Sequence, residues 1–116
     1  MSFSSSQIAF NPTGNTIAIT ANNPAPTGVT APPKYMRDAG QFRIVNSSTT
    51  TIAHLGWGAT AALAQTNAAA AASGAPAAGL PLLPGAIEVI RLAPGTFLSA
   101  FASGATTIFI TPGQGL

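Results

Sequence analysis

Three Pro-Gly dipeptides punctuate the last third of the chain, at positions 84–85, 94–95 and 112–113. Such dipeptides mark turns, because proline fixes φ and glycine accepts conformations that other residues avoid. The segments beside them are about seven residues long, which is a usual strand length and short for a helix. This punctuation predicts an all-β domain, either a sandwich or a barrel.

Alternating apolar and polar residues predict six main strands, of which the one that starts at Gln41 is apolar on both faces. The predicted strands cover residues 15–21, 41–46, 51–57, 86–92, 96–102 and 105–111. A polar turn after Asn46 predicts a hairpin between the second and third strands, and Ser103-Gly104 predicts another between the last two. Four aromatic residues in strand positions are expected in the core: Phe42, Phe97, Phe101 and Phe109.

The chain has the length of a single domain. Residues 1–13 read as an N-terminal arm, in which serines precede a short apolar patch and a turn, and residues 14–116 as one antiparallel β-sandwich. Residues 22–33 hold four prolines, which predicts a loop with neither strand nor helix. Residues 58–84 are rich in alanine, and this composition allows either a short helix near 60–72 or a long loop with one or two helical turns.

Charge is the scarcest property of this sequence, since charged residues make up 5% of the chain where about 25% is usual. The charged residues are Lys34, Arg37, Asp38, Arg43, Glu88 and Arg91. Four scattered cations are too few for a nucleic-acid footprint, so we expect no direct contact with nucleic acid. A surface with so little charge makes a free monomer poorly soluble, which indicates that other protein chains cover much of it.

The chain contains no cysteine, which excludes disulfides and thiolate metal sites. Its apolar runs fall well short of the ~20 residues that span a bilayer. The first residues lack a cationic region followed by an apolar one, so we expect neither a signal peptide nor a membrane contact.

Residues with catalytic chemistry are few. His54 is the only histidine, and Asp38 and Glu88 are the only acids. A catalytic triad, a metal site or a carboxylate pair would have to be built from these three widely spaced residues. No phosphate-binding loop is present. We therefore predict a protein that is not an enzyme and that has no catalytic, metal-binding or cofactor-binding residues.

Apolar and aromatic residues outside the predicted core are the candidates for contacts with other chains. An arm has little reason to carry phenylalanine and isoleucine unless it docks on another surface. Trp57 flanks a strand end between two glycines, where it serves either as a core plug or as an interface anchor. The predicted interface residues are Phe3, Ile8, Phe10, Lys34, Tyr35, Arg37 and Trp57.

Several short motifs occur in a distinctive order along the chain. They are Arg43-Ile44-Val45-Asn46, Gly56-Trp57-Gly58, Leu83-Pro84-Gly85, Glu88-Val89 and Thr111-Pro112-Gly113-Gln114-Gly115. In this order they resemble a family of small virion proteins of tailed bacteriophages. The resemblance covers residues 41–116 well and the N-terminal third loosely. It implies a β-sandwich or jelly-roll-like structural subunit and carries over no catalytic or cofactor residue.

What the resemblance implies is a capsid decoration (cement) protein, made in the host cytoplasm and carried on the outer surface of the virion. Its partners would be the major capsid protein and further copies of itself, as a dimer or a trimer. Two alternatives remain open at this point. One is another virion position, in a head–tail connector, a tail or a fibre base, and the other is a module that binds carbohydrate or the host surface.

Overall fold

The computed structural model describes residues 10–31 and 40–114, and strands dominate this part of the chain. The strands are β1 (Asn11–Pro12), β2 (Ile17–Ala21), β3 (Val29–Thr30), β4 (Gly40–Asn46), β5 (Ala53–Gly58), β6 (Leu80–Leu82), β7 (Ile87–Leu92), β8 (Phe97–Ala102) and β9 (Thr106–Gln114). One helix, α1 (Ala61–Asn67), follows β5.

The strands form two antiparallel sheets that pack as a sandwich. Sheet one has the order β2–β9–β4–β7, with β1 beside β2 on the same edge of β9, and sheet two has the order β3–β8–β5–β6. The pairs are nested, so that β2 pairs with β9, β3 with β8, β4 with β7 and β5 with β6. Apart from the short strand β1, each sheet has four strands, and eight strands connected in this way form a jelly roll. The predicted all-β sandwich of jelly-roll type is therefore confirmed, and the sheets do not close into a barrel.

Both predicted hairpins are wrong. β4 lies in sheet one and β5 in sheet two, and the same separation holds for β8 and β9. Their short turns carry the chain across the sandwich from one sheet to the other. A turn sequence specifies a reversal of the chain, but it does not specify whether the next strand pairs with the previous one. The consecutive strands β5 and β6 do pair, and α1 and the rest of the alanine-rich segment lie between them in the chain.

The core lies between the inner faces of the two sheets, as the alternation in each strand predicts. Its largest fully buried apolar side chains are Ile44, Leu55, Leu82, Leu98, Ile108 and Ile110. The prediction of four core phenylalanines holds for Phe42, which is buried. Phe97 and Phe101 are half-buried, and Phe109 is 40% exposed on the outer face of sheet one. The burial of Phe109 was wrongly predicted because a strand pattern identifies two faces without saying which one is covered.

The alanine-rich segment forms a helix of seven residues, α1, and residues 68–79 contain no further helix. Thr60 caps α1, since its Oγ1 accepts a hydrogen bond from the Leu63 amide at 3.1 Å. The helix packs on the outer face of sheet two, where Ala64 is fully buried. The shorter of the two predicted helical forms is therefore the one observed. No helix in residues 10–31 and 40–114 is long and apolar enough to cross a membrane.

The proline-rich loop is ordered over residues 22–31 and contains the short strand β3, which its composition did not predict. Two side chains fasten this loop to its surroundings. Ser99 Oγ donates a hydrogen bond to the Pro26 carbonyl, and Gln65 Nε2 donates one to the Ala25 carbonyl at 2.8 Å. These two carbonyl groups belong to a loop and have no partner in a sheet ladder, so the side-chain donors supply the hydrogen bonds that they need.

Candidate interaction surface

The outer face of sheet one carries a continuous row of apolar side chains. Ala18, Phe109, Val45 and Ile87 are directly opposite one another in the ladders of β2, β9, β4 and β7. Residues that face each other in antiparallel strands point to the same side of the sheet. These four residues, called the apolar row below, therefore cross the whole width of the sheet on one face.

Much of the apolar row is open to solvent. Phe109 is 40% exposed and Ile87 is 55% exposed. Two further exposed apolar side chains lie in the segments that follow β4 and β6, Ile52 at 42% and Leu83 at 60%. Soluble monomers seldom expose contiguous apolar surface of this kind, and where they do it commonly marks a contact with another molecule.

A more polar row runs beside the apolar one. Thr111, Arg43 and Val89 are opposite one another in the same ladders, and Arg43 is exposed. Thr16 Oγ1 and Thr111 Oγ1 lie 2.7 Å apart and share a hydrogen bond. An apolar centre with a polar margin is the usual arrangement of a protein–protein interface.

Of the seven predicted contact residues, the structure describes Phe10 and Trp57. The other five lie outside the described residues: Phe3, Ile8, Lys34, Tyr35 and Arg37.

Phe10, the described aromatic residue of the arm, lies against this chain's own sheet. A Cβ added at Gly113 would come within 2.7 Å of Cε2 of its ring. Asn11 and Pro12 then pair with Gln114 and Gly113. The last residues of the predicted arm are thus part of sheet one.

Trp57 faces inward at the end of β5, opposite Leu98, and packs against the core. Its carbonyl accepts a hydrogen bond from Asn67 Nδ2 at 2.9 Å, which ties α1 to the strand. The residue also lines a cleft of about 390 Å³, together with Arg91 and Pro94. The two roles considered for Trp57 are therefore compatible, since the half-buried side chain contacts the core and borders an open cleft.

His54 packs beside an aromatic ring on sheet two. It lies on the outer side of β5 opposite Phe101 and Pro81, and the His54 and Phe101 ring centroids are 6.0 Å apart. Its Nδ1 is buried and makes no hydrogen bond with the part of the chain that the structure describes. Desolvation lowers the pKa of His54 below its ordinary value of 6.5. Glu88 lies in the other sheet, and the described residues contain no cluster of metal-ligating side chains.

Val45, Ile87 and Phe109 of the apolar row were not among the sequence-predicted interface residues. The signal that could have identified Val45 is the strand over 41–46, which is apolar on both faces. A strand inside a two-layer sandwich has one face away from the core, so apolar residues on both faces place some of them outside.

No protein-family profile matches the chain, and neither the curated proteins nor the solved structures include a significant match.

Proposed function

We propose that this chain is a structural subunit of a tailed-bacteriophage virion, where it decorates the outside of the capsid and stabilises the shell of major capsid proteins. The observation that carries the proposal is the exposed apolar row on sheet one, with Phe109 and Ile87 at 40% and 55% exposure. A low-charge chain with such a face is suited to permanent contact with other proteins.

The proposed mechanism needs binding and no chemistry. A protein that binds the assembled shell better than its separate subunits stabilises the shell by mass action. Many copies on a symmetric lattice multiply a modest contact energy. Self-association of the bound copies would add to this effect, and the proposal gives His54 no catalytic role.

Two further arguments support the same proposal. The ordered motifs from Arg43 to Gly115 resemble small phage virion proteins. The double-sheet jelly roll also recurs among viral capsid domains. The second argument is an analogy at the level of the fold, because one fold hosts many functions.

The first test is co-sedimentation of the purified protein with emptied, expanded capsids, with the number of bound copies measured in the pellet. We expect saturable binding with copies across the whole shell. A copy number the size of a single ring would favour the connector or the tail instead. No binding to any virion part would contradict the proposal.

Two variants locate the contact. Ile87→Ser combined with Phe109→Ser removes the most exposed side chains of the apolar row, and we expect binding at least about tenfold weaker. Leu63→Ser is the matched control, because Leu63 is 46% exposed on α1 at the other sheet. Equal loss in the control would show that the apolar row is not the contact.

A deletion tests the arm separately. Removing residues 1–9 leaves β1 in place, since β1 begins at Asn11. We expect this deletion to abolish shell binding while the circular dichroism of the β-sandwich is kept. Unchanged binding would assign the contact to the sheet alone.

The cleft beside Trp57 supports a second candidate function, the binding of carbohydrate on a host surface. An aromatic side chain and Arg91 line this open cleft of about 390 Å³, and lectin domains also use the jelly roll. Trp57 is the sole tryptophan, so its fluorescence reports occupancy directly. A saturable change on titration with host polysaccharide would favour this function, and no change would remove it.

A further inference from the structure

The two sheets have four edges, and the strands at three of these edges carry features that hinder pairing with another strand. β7 presents Glu88 and Arg91, β6 has three residues with Pro81 at its centre, and β3 has two residues. Beside β3 the Gly28 amide already donates to the Ala61 carbonyl at 3.3 Å. Charged residues, prolines and short length are the usual means by which proteins protect sheet edges.

The fourth edge is formed by β2 and the two-residue strand β1, and β2 itself has none of these protections. Its sequence is Ile17-Ala18-Ile19-Thr20-Ala21, with neither a charge nor a proline. The side chains of Ala18 and Thr20 are exposed on the outer face. A five-residue edge of this composition is a template for another strand.

Hydrogen bonds elsewhere in sheet one identify which groups of β2 face outward. The Ser47 amide donates to the Thr107 carbonyl of β9 at 3.1 Å, so the main-chain groups of Thr107 point towards β4. Successive residues of a strand direct their main-chain groups to opposite sides, so the N–H and C=O of Ile108 point towards β2. Ile108 pairs with Ile19. It follows that Ala18 and Thr20 direct their N–H and C=O groups to the open edge.

An apolar groove of about 440 Å³ runs along this edge, between β2 and β3. Ile19 and Leu98, both buried, lie at its base, and Val29, 43% exposed, forms part of its rim. The residues that line the groove carry no charge. A strand added to β2 would place alternate side chains over this groove.

We propose that β2 of one copy pairs antiparallel with β2 of a second copy across a two-fold axis at Ile19. In this register Ala18 faces Thr20 of the partner subunit, and each such pair exchanges both main-chain hydrogen bonds. Ile17 and Ile19 of each copy then extend over the groove of the other. This inference rests on the proposed function, and it assigns the self-association described there to the β2 edge.

The occupant is a second copy because the β2 edge is complementary to itself. A two-fold axis brings a strand against its own sequence, and in β2 this juxtaposes no like charges. The apolar groove likewise meets the isoleucines of an identical edge.

The test is the mass of the isolated full-length protein, measured by sedimentation equilibrium at protein concentrations from about 1 to about 100 μM. This range brackets the dissociation constants expected of a small interface. We expect a dimer. Ala18→Pro removes an N–H that points to the open edge and leaves the ladder with β9 intact, so we expect the dimer dissociation constant to rise at least about tenfold. A wild-type monomer throughout this range, or a dimer unaffected by Ala18→Pro, would overturn the proposal.

Val89→Pro is the matched control on the opposite edge. The Asn46 amide donates to the Ala86 carbonyl at 3.0 Å, so the main-chain groups of Ala86 point towards β4. Because these groups alternate along a strand, the N–H of Val89 points to the open edge of β7. We expect this variant to dimerise like the wild type. Equal dissociation in both proline variants would count against pairing at β2.

Cross-linking tests the register and still applies if Ala18→Pro fails to fold. The chain has no cysteine, so Ala18→Cys and Thr20→Cys each introduce a single thiol. A hydrogen-bonded antiparallel pair lies at about 5.5 Å between Cα atoms, which a disulfide can bridge. We expect a mixture of the two variants to yield several-fold more oxidised dimer than either variant alone. Equal yields would overturn the register.

Other occupants of the edge would give different results. A monomer whose shell binding is lost on Ala18→Pro would mean that a capsid strand occupies β2. A monomer that dimerises only after deletion of residues 1–9 would mean that the chain's own N-terminal segment occupies it. Either result overturns the dimer. A wild-type protein that is dimeric but does not bind any virion part would instead contradict the decoration role and leave the dimer standing.

Discussion

Asn46 is the residue at which three segments of the sandwich converge. It is fully buried at the end of β4, and its Nδ2 donates hydrogen bonds of 2.9 Å to the carbonyls of Thr51 and Leu82. Its Oδ1 accepts one from the Ser48 amide at 3.1 Å. The side chain therefore joins β4, the turn that follows it and the end of β6.

At this residue we expect Asn46→Ala to lower the free energy of unfolding by about 3 kcal/mol, because it leaves buried carbonyl groups without donors. Chemical denaturation measures the loss. Asn22→Ala is the control, since exposed Asn22 uses its side chain for a bond to the adjacent Asn23 amide. Equal losses in the two variants would show that the convergence at Asn46 contributes nothing.

His54 gives the fold a predictable response to pH. Burial lowers its pKa in the folded state below 6.5, so the unfolded chain binds more protons than the folded one as the pH falls through about 6.5. The contribution of His54 to the free energy of unfolding is thus complete above this pH and declines below it, down to the folded-state pKa. We expect His54→Gln to reduce the slope of stability between pH 7 and pH 5, as followed by denaturation across that range. An unchanged slope would contradict this account.

At the level of elements, α1 can lie on sheet two because Gly56 of β5 has no side chain. A Cβ at this position would come within 2.6 Å of the Ala64 carbonyl oxygen and would also collide with the Ala68 amide. These are backbone atoms of the helix, which cannot move aside as a flexible side chain can. We expect Gly56→Ala to cost about 3 kcal/mol of unfolding free energy and to displace α1.

Gly104→Ala is the control for this prediction, because no described residue other than its two chain neighbours lies within 4 Å of the added Cβ there. Denaturation midpoints compare the two variants. The packing of α1 on β5 would be in doubt if Gly56→Ala proved as stable as Gly104→Ala.

For the molecule as a whole, the nested strand order makes folding depend on distant parts of the chain. β2 pairs with β9, and the residues in this ladder include Ile17 opposite Ile110. The chain between β2 and β9 must form a closed loop before their pairing contributes any stabilisation. The entropy cost of this closure slows folding.

We therefore expect the main refolding phase to take about 10 ms to several seconds, as in other β-sandwiches. Stopped-flow fluorescence of Trp57, the sole tryptophan, measures this rate. Refolding within microseconds would contradict the nested topology.

The features that could be predicted from the amino-acid sequence are those that depend on residues close together in the chain. Alternation and the Pro-Gly dipeptides at 84–85 and 94–95 located the long strands to within about three residues, because strand periodicity and turn chemistry are local. The prediction of a turn at Pro112-Gly113 was wrong, because both residues lie inside β9 and pair with β4. The alanine-rich composition allowed α1 and left its length open, since packing on Gly56 and the Thr60 cap determine where so short a helix is stable.

What the sequence determined by itself was the all-β class, the positions of the long strands and the scarcity of charge, all of which depend on residue type and near neighbours. Only the tertiary structure decided which strands pair, that Phe109 faces solvent while Phe42 faces the core, and that β2 is the unprotected edge. The physical reason is that a strand specifies two faces and two edges, and only the arrangement of all the strands determines which of them are covered.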